Sequence, residues 1–156
     1  MKLITLKTND VFEISAILIK NAEGFSSHPY IDTLGHSTIG YGFNMSLPSF
    51  SGLKNISTHS ADILLEKEIS YILSSSFFGN LPYLPSHIMA TLVDMAYNMG
   101  IEGLIEFDTF LGFLYKSQID EAISDLTETL WYKQVGQRAV RNCFNIMTKS
   151  NLLFLI

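Results

Sequence analysis

Three side chains near the start of the chain have types and spacing suited to acid–base chemistry: Glu23, Asp32 nine residues on, and Thr38 six beyond that. Val11, Ile14, Leu18 and Ala22 recur at helical spacing and Gly24 follows as a stop. The pattern predicts a helix from Asn9 to about Glu23, with Glu23 in its last turn. A carboxylate there meets the negative end of the helix macrodipole, at about 0.3–1 kcal/mol against its ionised form, which suits a proton donor. From Tyr30 to Phe43, β-branched, aromatic and glycine residues surround a turn signal at Thr33-Leu34-Gly35-His36, which predicts a hairpin or small sheet. That fold-back carries Asp32 toward Glu23 across a groove. Two carboxylates in one groove, with pKa values pushed apart, are the equipment of glycoside hydrolysis: one protonates the leaving oxygen, the other acts as base or nucleophile. Thr38, on the returning strand, is placed to hold a water between them. Each residue alone also fits a plainer role, as a solvated helix end, a turn residue and a β-branched strand residue. Gly40 and Gly42 mark strand positions of close backbone approach.

The elements that must position these groups follow along the chain. Asn44 to Asn55, with Pro48, Gly52 and three serines, reads as a loop. Ser57-Thr58 caps a helix with the face Ala61, Leu64 or Leu65, Glu68 and Ile72, ending before Gly79-Asn80-Leu81-Pro82. Pro85-Ser86 opens an apolar helix with Ile88, Leu92, Met95, Ala96 and Met99, closed by Gly100, and this is the expected central core helix. Further helical patterns run from Thr109 to Tyr115, through Ile119, Ile123, Leu126 and Leu130, and from Gln137 to Met147. The fold class expected is α+β, mostly α. It is a single domain over 1–156, with a small lobe at about 24–70 and a helical lobe made of about 1–23 plus 71–156.

Composition bounds the rest. With 156 residues, 47% hydrophobic, the chain can bury a core without a staple. Its one cysteine, Cys143, precludes an intramolecular disulfide and reads as a buried inert thiol. A net charge of −5 speaks against nucleic acid as partner, since that binding needs Lys and Arg to neutralise phosphates. The first ten residues lack the apolar run of an export signal, and Leu152 to Ile156 is too short to span a bilayer, so the tail is expected to pack on the core. His28, His36, His59 and His87 show no metal-site spacing, so no metal and no cofactor is expected.

The segments Glu23-Gly-Phe, Tyr30-x-Asp32 and Thr38-Ile-Gly-Tyr-Gly42 together resemble the catalytic segment of phage-type lysozymes, glycoside hydrolase family 24. The resemblance continues over nearly the whole chain. It includes Ile56-Ser57-Thr58 with Ala61, Met95-Ala96-Tyr97-Asn98-Met99-Gly100, and a closing Trp131-Tyr132 with Arg138-x-x-Arg141. It implies a lysozyme-like two-lobe fold with a cleft crossed by one helix. It also implies hydrolysis of the β-1,4 bond between N-acetylmuramic acid and N-acetylglucosamine in peptidoglycan. Glu23 would be the acid, Asp32 its carboxylate partner and Thr38 the water-positioning residue, with inversion favoured. Arg138 would pair with and orient Glu23, while Asn44, Tyr97 and Asn98 fall where the family lines its saccharide cleft.

Three departures stand out. Phe43 replaces a common histidine, Val135 stands where a small polar residue is frequent, and the residues before Asn9 have no assigned role. The biological role implied is a monomeric endolysin held in the host cytoplasm, which acts on peptidoglycan in the periplasm once the membrane is opened. A tail-associated or interbacterial toxin lysozyme shares the chemistry. A binding module that keeps the cleft without turnover is the alternative from another class.

Overall fold

The chain begins with a short strand, β1 (Lys2–Thr5), in residues to which the sequence assigns no role. The computed structural model describes all 156 residues. Helix α1 (Val11–Glu23) starts where the Asp10 side chain accepts from the Phe12 N–H at 2.8 Å. It ends at Gly24, whose positive φ of 66° turns the chain away. Its inward stripe of Ile14, Leu18 and Ile19 is fully buried.

The expected hairpin is a three-stranded antiparallel sheet of β2 (Ser26–Ile31), β3 (Ser37–Gly40) and β4 (Phe43–Asn44), in that order. The extra strand exists because Gly40 and Gly42, at φ 65° and 78°, turn the chain back within two residues. Helix α2 (Thr58–Leu73), capped by Ser57, stops at Ser74, short of the predicted end. The next serine caps a separate turn, α3 (Ser76–Gly79), and both Ser74 and Ser75 hydroxyls bond back to α2 carbonyls.

Helix α4 (Ser86–Met99) is the central one, with nine of its residues buried, and it packs on α1, α2 and α9 (Gln137–Met147). Between lie α5 (Ile101–Ile105), α6 (Asp108–Tyr115), α7 (Ile119–Glu128) and α8 (Leu130–Val135). The predicted run through Leu130 is split at Thr129, whose extended backbone and side chain cap α8. One apolar cluster runs from Ile39 and Phe43 in the sheet through Leu65 and Ile69 of α2 to Leu126 and Ile146. With nine helices and five short strands the fold is α+β and mostly α, and no helix is long and apolar enough to cross a membrane.

The tail forms β5 (Leu152–Leu155), which pairs antiparallel with β1 in the register Leu3 to Phe154 and Thr5 to Leu152. Leu153 is fully buried with Ile14, Leu18 and Ala90. Asn145 and Asn21 bond the main chain of Phe154 and Ile156 through both amide atoms, so β5 is satisfied beyond its one partner strand. Cys143 is buried, and burial pushes its thiol up to about 11, consistent with an inert core group.

Two outcomes are expected. Leu153→Ala opens a void under α1 and lowers unfolding stability by about 2–5 kcal/mol, measured by urea titration. His87, buried at the start of α4 with neither ring nitrogen bonded in good geometry, has a pKa held below 6.5 by burial, with a smaller opposing pull from the Thr148 backbone. A depressed imidazole pKa stabilises the fold above 6.5, and that contribution is lost as pH falls through the folded value. The stability of wild type relative to His87→Leu therefore falls with acidification below pH 6.5, and a difference independent of pH would refute this.

Candidate active site

A buried charge cluster sits where α1, α4 and α9 meet. Asp94, in the middle of α4, has no exposed surface, and Arg141 and Asn142 of α9 are equally buried. Arg138 reaches Asp94 through Nε at 3.1 Å and Nη2 at 2.9 Å, a two-pronged pairing that fixes the plane of its guanidinium. Its remaining nitrogen, Nη1, donates to Oε1 of Glu23 at 2.5 Å. Arg141 donates to Asp94 Oδ2, the oxygen that Arg138 Nε also meets, at 2.5 Å and to the Leu18 carbonyl of α1 at 2.9 Å, and Asn142 adds a fourth bond to the carboxylate, again at Oδ2. Both guanidiniums converge on the Asp94 carboxylate, with the Glu23 carboxyl seated at the outer edge of the cluster, and such pairing is the condition under which charges are tolerated in a core. Burial alone would raise the Asp94 pKa, but the two arginines outweigh it and hold the carboxyl below its ordinary range.

Glu23 stands in the last turn of α1 as predicted, one-fifth exposed. The carboxyl lies against Gly42, where any Cβ would collide with Oε2. Gly42 is thus required twice, for its left-handed backbone and for the space Glu23 fills.

Asp32 closes the turn between β2 and β3. Its Oδ1 accepts from the backbone N–H groups of Leu34 at 2.9 Å and His36 at 2.8 Å, and Oδ2 lies 3.4 Å from the His36 ring. The His36 amide, with the Leu34 amide and the His36 ring, lowers its pKa against a smaller effect of desolvation. Sheet register pairs Tyr30 with Thr38 and Thr38 with Asn44, so these three share one face, and Asp32, two residues past Tyr30, falls on the same side. The Tyr30 phenol is raised by burial and then by both Glu23 and Asp32, so the two carboxylates bear on one hydroxyl. Thr38 is buried and its hydroxyl donates to the His36 carbonyl at 3.1 Å, leaving only lone pairs for another partner.

A cleft of about 480 Å³ lies between the sheet, the later half of α2 and the start of α5. Gly42, Asn44 and Tyr97 line it, with Phe50, Tyr71 and Ile101. Glu23, Asp32 and Thr38 do not line it; Glu23 adjoins it through Gly42 and Thr38 through its paired neighbour Asn44. Glu68 also faces it, and burial raises its pKa. Asn98 stands apart from this wall, its Oδ1 accepting from the Trp131 indole at 2.8 Å. Phe43 stacks on Phe50 at 4.7 Å between ring centres, an apolar contact at the position where the family often has histidine. Val135 ends α8, half-buried beside Gly136. No group of three or more His, Cys, Asp or Glu side chains is arranged to hold a metal ion.

Asp94 is absent from the residues singled out by sequence reasoning. The signal was there: it is the only charged residue of a helix otherwise read as core, and a buried charge demands a partner such as the arginine pair. Asp94→Asn leaves two buried guanidiniums under-neutralised, with an expected loss of about 3–5 kcal/mol in stability by urea unfolding. A loss under about 1 kcal/mol, typical of an exposed pair, would show that the cluster does not hold the site.

Comparison with known proteins bears on this arrangement. The family model for phage lysozyme matches residues 20–143, which takes in Glu23, Asp32, Thr38, Asp94 and both arginines but neither terminal strand. No curated protein matches the chain. That match spans about four-fifths of the 156 residues, and on this ground the chain belongs to the phage lysozyme family, which supports a peptidoglycan-hydrolysing glycoside hydrolase.

Proposed function

We propose that this protein is an endolysin-type muramidase that hydrolyses the β-1,4 bond between N-acetylmuramic acid and N-acetylglucosamine with inversion. The observation that carries the reading is the unequal setting of two carboxylates, one against the cleft residue Gly42 and one in a turn of the sheet that walls the cleft. Glu23 is held by a guanidinium, and Asp32 is held ionised by backbone amides. A glycan strand lies along the cleft, against Asn44 and the Tyr97 ring, with Asn98 toward its far side. Glu23 gives its proton to the glycosidic oxygen as the bond to the anomeric carbon breaks, and Arg138 stabilises the carboxylate left behind. Asp32 takes one proton from a water that donates its other hydrogen to the Thr38 hydroxyl oxygen, and that water attacks the anomeric carbon from the opposite face. The lysate product is a hydrated reducing end of inverted configuration.

In this reading the protein acts as a monomer. It accumulates in the infected host's cytoplasm, reaches the periplasm when a separate protein opens the membrane, and contributes to host lysis.

The test is turbidity loss of permeabilised Gram-negative cell walls, with released ends identified by mass and their first-formed anomer by NMR. Wild type is expected to clear the walls, and Glu23→Gln to be slower by about 10²–10⁴-fold while remaining folded. Asp32→Asn is expected to lose activity similarly. Folded wild type that pellets with the walls and clears nothing would replace the enzyme reading by that of a binding module. Retained configuration in the first product would overturn inversion.

A further inference from the structure

The residue Tyr41 is gripped from three helices. Its phenol donates to Asp62 of α2 at 2.9 Å, the Lys20 ammonium of α1 meets the same carboxylate oxygen at 2.7 Å, and that ammonium stands over the Tyr41 ring at 5.2 Å. Its carbonyl accepts from the Tyr97 hydroxyl of α4 at 2.6 Å. The Tyr41 carbonyl belongs to the same peptide unit as the Gly42 N–H, and Gly42 is the wall against which the Glu23 carboxyl rests. Lys20 and Glu23 are themselves neighbours on α1, three residues apart.

We infer that Tyr97 is a positioning residue: its hydroxyl clamps the Tyr41–Gly42 peptide and so fixes the wall that aims Glu23, and it does not serve as a hydrogen-bond donor to sugar. The short bond to Tyr41 uses the only hydrogen the phenol has to donate. Its ring still lines the cleft, so the two parts of one side chain have separate tasks. Burial and then the Glu23 and Glu68 carboxylates keep the phenol protonated, so the clamp persists at any working pH. The Lys20–Asp62 pair is partly exposed and weak by itself, which leaves the Tyr97 bond as the better shielded half of the grip.

The inference rests on the muramidase reading for its kinetic test and is independent of it for its structural one. Tyr97→Phe keeps the ring and removes the clamp. With wall fragments as substrate, kcat is expected to fall about tenfold, a fraction of what a full ångström of misplacement costs, with KM changed less than about twofold. Tyr41→Phe, which loosens the other end of the grip, should lower kcat in the same sense by less. By amide hydrogen exchange, Gly42 and Phe43 should exchange faster in Tyr97→Phe, while the β1–β5 pair is unchanged. A raised KM with unaltered kcat would make Tyr97 a sugar donor and overturn the inference, as would unaltered exchange at Gly42. Inactive wild type would instead sink the muramidase reading, and the exchange measurement would still decide the clamp.

Discussion

A carboxylate with no contact with water, Asp94 in the middle of the central helix, obliges the molecule to bring two arginines to it. Nothing else in the fold places so strict a demand on geometry, because a buried charge left unpaired costs several kcal/mol. Arg141 meets the demand while tying α9 to the α1 carbonyl of Leu18. Arg138 meets it with two of its nitrogens and has one left, and that one holds Glu23. The orientation of the Glu23 carboxyl is therefore inherited from a core interaction. A loop-borne lysine in place of Arg138 would supply charge without this fixed fork.

The same logic appears on the other side of Glu23. The Gly40-Tyr41-Gly42 turn sends the aromatic ring into the core and presents bare backbone to the carboxyl. Helices supply the groups on both sides of Glu23, α9 directly through Arg138 and α4 through the bond from Tyr97 to the Tyr41 carbonyl beside Gly42. Asp32 is different in kind: it sits in an exposed turn and is organised by amides two and four residues away. One carboxylate is set by tertiary packing and the other by local turn chemistry, and this is how two like groups come to have unlike environments.

Two departures from the family pattern have structural accounts. Phe43 stacks on Phe50 and lies against Gly40, so the lobe holds this segment by aromatic packing. The terminal strands close on each other outside the region matched by the family model, with Leu153 buried beneath α1 and the tail's backbone bonded by Asn21 and Asn145. The clasp thereby buttresses the helix that carries Glu23. For Val135 the structure offers no account beyond its place at the end of α8.

What the amino-acid order alone determined was local. Periodicity marked α1, α4 and α9, and capping chemistry marked where α1 ends and α2 begins. Turn residues marked the fold-back that carries Asp32, because helix stripes, caps and turns depend on residues within a few positions of one another. The arginine pair was visible as spacing, and the link from Arg138 to Glu23 came from resemblance to a family. The choice of partners across the core was decided by tertiary structure alone. Asp94 meets Arg138 and Arg141 across 44 and 47 residues, Tyr97 meets Tyr41 across 56, and strand β1 finds β5 at the far end of the chain. Four-residue strands with weak alternation at both termini carry no local signature, and the identity of a buried ion's partner depends on which helices pack face to face. The residue types near the site were legible in one dimension. Their division into groups that react, groups that aim and groups that only line the cleft required three.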